Sequence, residues 1–137
     1  KKPRRDIALT ALAGPVSNLL AALVGAFLVS AILAFAPSNV VTRFLFNMLY
    51  YYVVVNISLA VFNLIPLPPL DGSRIVGAFL SSRALYTYYR YQNLFVMVMF
   101  LLLLSGAMTG PLSTAQNFFA NLIFNLAQAP FRLFGAL

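Results

Sequence analysis

Three long apolar segments separated by short polar stretches dominate the chain, at about residues 11–36, 44–66 and 93–109. Since a helix needs about 20 apolar residues to cross a bilayer, each predicts a membrane-spanning helix, the third being short for one. A further stretch, 115–129, gives roughly 22 Å of helix before Pro130, which favours a helix at the membrane interface or a fourth crossing. The pattern predicts an all-α, polytopic transmembrane helical bundle forming a single membrane domain.

Composition agrees with a membrane protein. The sequence is 62% hydrophobic and 8% charged, whereas soluble domains carry roughly 25% charged residues. A net charge of +7 raises the question of nucleic acid, but most of the nine basic residues flank apolar segments. We therefore expect the basic residues to meet an anionic lipid bilayer, and no nucleic acid to bind.

The basic residues also predict a topology, because cytoplasmic loops of membrane proteins are enriched in lysine and arginine. With the N-terminus in the cytoplasm, Arg43 is the only basic residue before the last helix that falls outside. The basic residues that fall inside are Lys1, Lys2, Arg4, Arg5, Arg74, Arg83 and Arg90. We expect an integral protein of the plasma or inner membrane with residues 1–5 and 71–92 in the cytoplasm.

The second apolar segment ends in a run rich in proline, Asn-Leu-Ile-Pro-Leu-Pro-Pro-Leu-Asp-Gly at residues 63–72. Its prolines prevent a continuous helix, and Asp71 places a carboxylate at the end of the segment. Irregular backbone in a membrane has to line a cavity or be buried in protein, and an ionisable residue there usually marks a site. Taken alone, Asp71 could instead cap the following helix or pair with Arg74.

The pattern from Asn63 to Gly72 resembles a motif of the site-2 proteases, zinc metalloproteases that cut transmembrane helices. An upstream run, Gly14-Pro15-Val16-Ser17-Asn18, is similar to a second element of that family, the Gly-x-x-x-Asn of the preceding helix. Few residues separate the first two segments, so the chain resembles the compact members that lack a PDZ insertion.

The resemblance implies a Zn²⁺ cofactor, a transmembrane protein substrate, and Asp71 as one zinc ligand. An aspartate oxygen is a suitable ligand for zinc. Asn63 could bind substrate or a developing oxyanion, although a helix cap or an interhelical hydrogen bond would also explain it. The remaining implied site residues are Pro66 and Pro68 against substrate, by strand addition, and Gly14, Asn18 and Gly72 as structural support.

The chain lacks the other half of such a site. Site-2 proteases take two ligands and the general base from His-Glu-x-x-His, but this sequence has no His and no Glu, and its only acids are Asp6 and Asp71. We expect the chain to be the C-terminal part of a protease core whose HExxH helix lies upstream in the same protein. Alone, it should be inactive.

Two other classes of function remain open from the residues. In a transporter or channel, Asp71 and the broken helix would handle a cation. In a non-catalytic membrane protein, the same segment would bind a partner. An HExxH sequence in a hydrophobic segment before Lys1 would decide for the protease.

Overall fold

The structure, a computed structural model, describes residues 3–136, and the side chains of residues 6–136. All regular secondary structure within that range is helical, which confirms the all-α class. The helices are α1 (Pro3–Phe35), α2 (Val40–Asn63), α3 (Asp71–Gly77), α4 (Ser82–Arg90), α5 (Gln92–Leu104) and α6 (Thr109–Leu133).

The described residues group into two compact units. The first comprises the N-terminal residues through Val16 together with Ala60–Ala115, and the second comprises Ser17–Leu59 together with the residues from Gln116 onward. Asp71, Asn63, Pro66, Pro68, Gly14 and Gly72, all expected near the site, lie in the first unit, whereas Asn18 lies in the second.

Helices α1 and α2 are long and apolar enough to span a membrane, over Asp6–Phe35 and Val40–Asn63. Only a minor part of each span is buried within the chain, which suits side chains that face lipid. Helix α5 has 13 residues, or roughly 20 Å, so it is too short to be a candidate membrane span by itself. It counts as a third candidate only together with α6, as one span broken between Leu104 and Thr109. The chain is thus a polytopic helical membrane protein.

The second unit is held by small residues and aromatic pairs. A Cβ atom on Gly25 of α1 would lie 2.8 Å from Cγ2 of Val53, so the glycine lets α1 and α2 approach closely. The rings of Phe27 and Phe131 lie 5.0 Å apart and join α1 to α6. Gln116 of α6 donates a hydrogen bond of 3.2 Å to the Ser58 hydroxyl of α2.

Both ends of the second span differ from the expected positions for local reasons. Helix α2 begins at Val40, four residues before the expected start, because Asn39 and Thr42 form a reciprocal cap. The Thr42 amide donates to Oδ1 of Asn39 at 2.9 Å, and the Asn39 amide to the Thr42 hydroxyl at 3.1 Å. The same helix ends at Asn63 rather than at residue 66, since a proline disfavours helical geometry in the residue before it.

The later helices depart further from the expected pattern. The helix of the third apolar segment ends at Leu104, two residues before Gly106, which adopts a positive φ of 75°. Helix α6 has 25 residues instead of the expected fifteen. It begins six residues earlier, at Thr109, and it ends four residues later, at Leu133, because Pro130 lies in its last turn without ending it. Whether α6 crosses the membrane or lies at its interface stays a prediction. Helix α4, which the apolar pattern does not indicate, is short and amphipathic.

Candidate metal centre

The segment between α2 and α3, residues 64–70, is a series of tight turns. The Ile65 amide donates to the Phe62 carbonyl at 3.1 Å, and the Leu67 amide to the Ile65 carbonyl at 2.8 Å. Further on, the Leu70 amide donates to the Leu67 carbonyl at 3.0 Å. Because the three prolines of this segment carry no N–H group, these few bonds hold much of its backbone.

Gly72 closes this series of turns. A Cβ atom on Gly72 would lie 2.4 Å from the carbonyl oxygens of both Leu64 and Ile65. Separations under 3.0 Å are ones that real Cβ atoms essentially never show, so only glycine fits. The start of α3 therefore packs directly against the two residues that follow α2.

Asp71 is the first residue of α3 and is half-buried. Leu70 precedes it at the N-cap position, and its side chain makes no capping hydrogen bond. The Asp71 carboxylate faces α1: a Cβ atom on Gly14 would lie 2.8 Å from Oδ2 of Asp71. The missing side chain of Gly14 therefore leaves the space that the carboxylate occupies, and α1 contributes a wall to the site.

Pro66 and Pro68 have different environments. Pro68 is fully buried, while Pro66 is exposed and its carbonyl accepts a hydrogen bond from the Tyr88 hydroxyl of α4. Asn63, at the last residue of α2, is half-buried. Their expected contacts with a substrate stay predictions.

Tyr88 is a residue that sequence reasoning missed as part of this region. It follows Pro66 by 22 residues, and its tyrosine-rich neighbourhood indicates only a membrane interface. Burial, with a smaller contribution from Tyr89, raises the pKa of the Tyr88 hydroxyl. The hydroxyl therefore remains a proton donor across the physiological pH range.

The segment around the break contains one acidic side chain, that of Asp71. Among the described residues, no group of three His, Cys, Asp or Glu side chains lies together. Asp71 fits the role of a single zinc ligand, because it offers carboxylate oxygens in a half-buried position with space opened by Gly14. A complete tetrahedral site needs ligands from beyond this chain.

Comparison with known proteins places the chain in a family. The profile of Peptidase family M50 matches residues 29–106, more than half of the chain. The chain belongs to Peptidase family M50, which confirms the resemblance to site-2 proteases. The matched segment includes Asn63, Asp71 and Gly72, and begins after Gly14 and Asn18.

One curated relative carries a more specific description. The chain is 41% identical over 78 residues to "Putative zinc metalloprotease YwhC" of Bacillus subtilis (strain 168). The match covers 56% of this chain and 36% of the relative, so the chain spans little more than a third of that protein's length. No solved structure matched the chain.

Proposed function

We propose that this chain is the aspartate-bearing part of an intramembrane zinc metalloprotease that hydrolyses peptide bonds of transmembrane substrates. The observation that carries the proposal is Asp71, a half-buried carboxylate at the break between α2 and α3, facing the bare backbone of Gly14. Its position inside the segment matched by a peptidase family supports hydrolysis over ion transport.

Asp71 would supply one zinc ligand, and an HExxH helix of the same protein would supply two others and the general base. Zinc bound there would activate water and polarise the peptide carbonyl. The residues of this chain hold and shape the site: Gly72 lets the loop close, and Gly14 leaves room for the carboxylate. Because its own ligand set is incomplete, the chain alone should neither bind zinc tightly nor cleave peptides.

Substrate contacts fall to the residues around the break. Asn63 directly precedes the two residues that Gly72 contacts, and Asp71 directly precedes Gly72. Both side chains would then reach one bound peptide, with the Asn63 amide donating to substrate or to the developing oxyanion. Pro66 is exposed and could touch an unwound substrate directly. Pro68 is buried, so its part would be to fix the turn that presents Pro66. Asn18, one turn beyond Gly14 on α1, stays an expected supporting residue.

The proposed topology places residues 1–5 and 71–92 in the cytoplasm, with the protein in the plasma or inner membrane. The exposed face of α4 carries Arg83, Tyr86 and Arg90, the combination of cationic and aromatic side chains found where a helix meets anionic lipid. Asp71 would then lie near the cytoplasmic end of its span.

The test uses the intact protein reconstituted in a bilayer with a transmembrane substrate. Asp71→Ala should abolish cleavage and lower bound zinc, while membrane insertion persists because a charge has been removed. Asp6→Ala is the matched control, since Asp6 is the other acid of the chain and is exposed. Cleavage at the wild-type rate by Asp71→Ala would reject the ligand role and favour a helix-end role for Asp71.

A further inference from the structure

The loop before Asp71, residues 64–70, is hydrogen-bonded to a helix that lies outside the two motifs described above. The carbonyl of Pro66 accepts the hydroxyl proton of Tyr88, in the middle of α4. The turns of the loop use other carbonyls, those of Ile65, Leu67 and Leu70. The Tyr88 bond is therefore a tertiary link that the local turns do not provide.

Tyr88 is itself held in place. Its ring centroid lies 5.6 Å from that of Phe95 on α5 and 5.6 Å from that of Tyr89 in an edge-on arrangement. The side chain is half-buried, and its raised pKa keeps the hydroxyl protonated. The donor thus comes from a packed ring with little freedom to turn away.

The loop has two anchors, one at Pro66 and one at Gly72. Gly72 fixes its end, because its backbone contacts the carbonyls of Leu64 and Ile65. Tyr88 fixes Pro66, five residues before Asp71. Between these anchors the backbone has few N–H groups with which to hold itself, since prolines lack them. Loss of either anchor should let the loop and the carboxylate that follows it shift.

We propose that Tyr88 is a positioning residue, whose hydrogen bond to Pro66 holds the loop so that the Asp71 carboxylate keeps the orientation needed to ligate zinc. This inference rests on the proposed function. In this proposal α4 supports the metal site. Because Tyr88 would act on Asp71 through the loop, its loss should affect metal retention as well as turnover.

The experiment compares Tyr88→Phe with Tyr86→Phe in the intact, zinc-loaded protein. Both changes remove one hydroxyl from α4 and keep the ring, but Tyr86 is exposed, at 70%. We expect Tyr88→Phe to weaken zinc retention against a chelator by about 10–100-fold, and Tyr86→Phe to stay within about twofold of wild type. The thermal unfolding midpoint of each variant separates positioning from general destabilisation.

Amide hydrogen exchange of residues 64–73 gives a readout that does not depend on zinc or activity. Tyr88→Phe should speed exchange of the Leu67, Leu70 and Ser73 amides, which bond within the loop, whereas Tyr86→Phe should leave it unchanged. Equal exchange and equal zinc retention in the two variants would overturn the proposal, as would faster exchange with unaltered zinc retention. If Asp71→Ala keeps its zinc, the ligand assignment fails, and with it the zinc part of this inference.

Discussion

Gly14 of α1 and Asp71 of α3 approach so closely that a Cβ atom on the glycine would lie 2.8 Å from the Oδ2 atom of the carboxylate. The two residues belong to the two separate motifs by which the sequence resembles site-2 proteases. Their contact accounts for a glycine at position 14 of this chain, because a larger residue would displace the Asp71 carboxylate. The small residue and the acid are therefore two parts of one local structure.

Gly14→Ala should lower activity of the intact protein while leaving its fold intact. By helix propensity alone, alanine within a helix is favoured over glycine by about 1 kcal/mol. The added methyl group, however, would force the Asp71 carboxylate to move, and a displacement of about 1 Å near a reacting centre can cost roughly 100-fold in rate. The measurement is the initial rate of substrate cleavage beside the thermal unfolding midpoint.

Gly110→Ala is the control for that substitution, because no atom other than the local backbone of its own helix lies within 4 Å of the Cβ position at Gly110. It should leave cleavage unchanged. Equal rates for Gly14→Ala and wild type would contradict the close contact between Gly14 and Asp71.

Gly72→Ala should destabilise the first unit. Its methyl group would meet two backbone carbonyl oxygens at 2.4 Å, and backbone cannot yield without opening the turns. Forcing a methyl group into a packed position typically costs about 1–3 kcal/mol. Gly77→Ala provides the comparison, because the nearest atom outside the local helix backbone is the Leu85 Cδ1 at 3.0 Å, the end of a flexible side chain. In detergent, the thermal unfolding midpoint of Gly72→Ala should lie well below that of Gly77→Ala. The reverse order would be evidence against the close contact of Gly72 with the Leu64 and Ile65 carbonyls.

The break at the end of α2 could be predicted from the sequence, because prolines act on the residues next to them. The contacts that build the site could not. Gly14 and Asp71 lie on different helices, and Tyr88 follows Pro66 by 22 residues, so no local pattern indicates either pairing. Helix α4 was also missed, since nine residues are too few for a clear helical period in a segment rich in tyrosine and arginine.

The proposed topology can be checked by labelling, because the chain has no cysteine of its own. Ser38→Cys lies between α1 and α2, and Thr87→Cys lies on α4; both positions are exposed. In intact cells, with other reactive cysteines of the protein removed, a membrane-impermeant thiol reagent should label position 38 and spare position 87. After the membrane is opened, both should react. Labelling of position 87 in intact cells would show that the orientation is opposite to the proposed one.

Asn63→Ala should reduce turnover more than it reduces bound zinc. Asn63 ends α2 beside the turns that lead to Asp71, and its proposed partner is the substrate or the developing oxyanion. Removing one such donor typically costs about 10²–10³ in rate. Cleavage kinetics and metal analysis on the same preparation of the intact protein separate the two effects, with Asp71→Ala as the reference for a variant that loses zinc. If zinc falls in proportion to activity, Asn63 supports the loop that holds Asp71, and the oxyanion role is wrong.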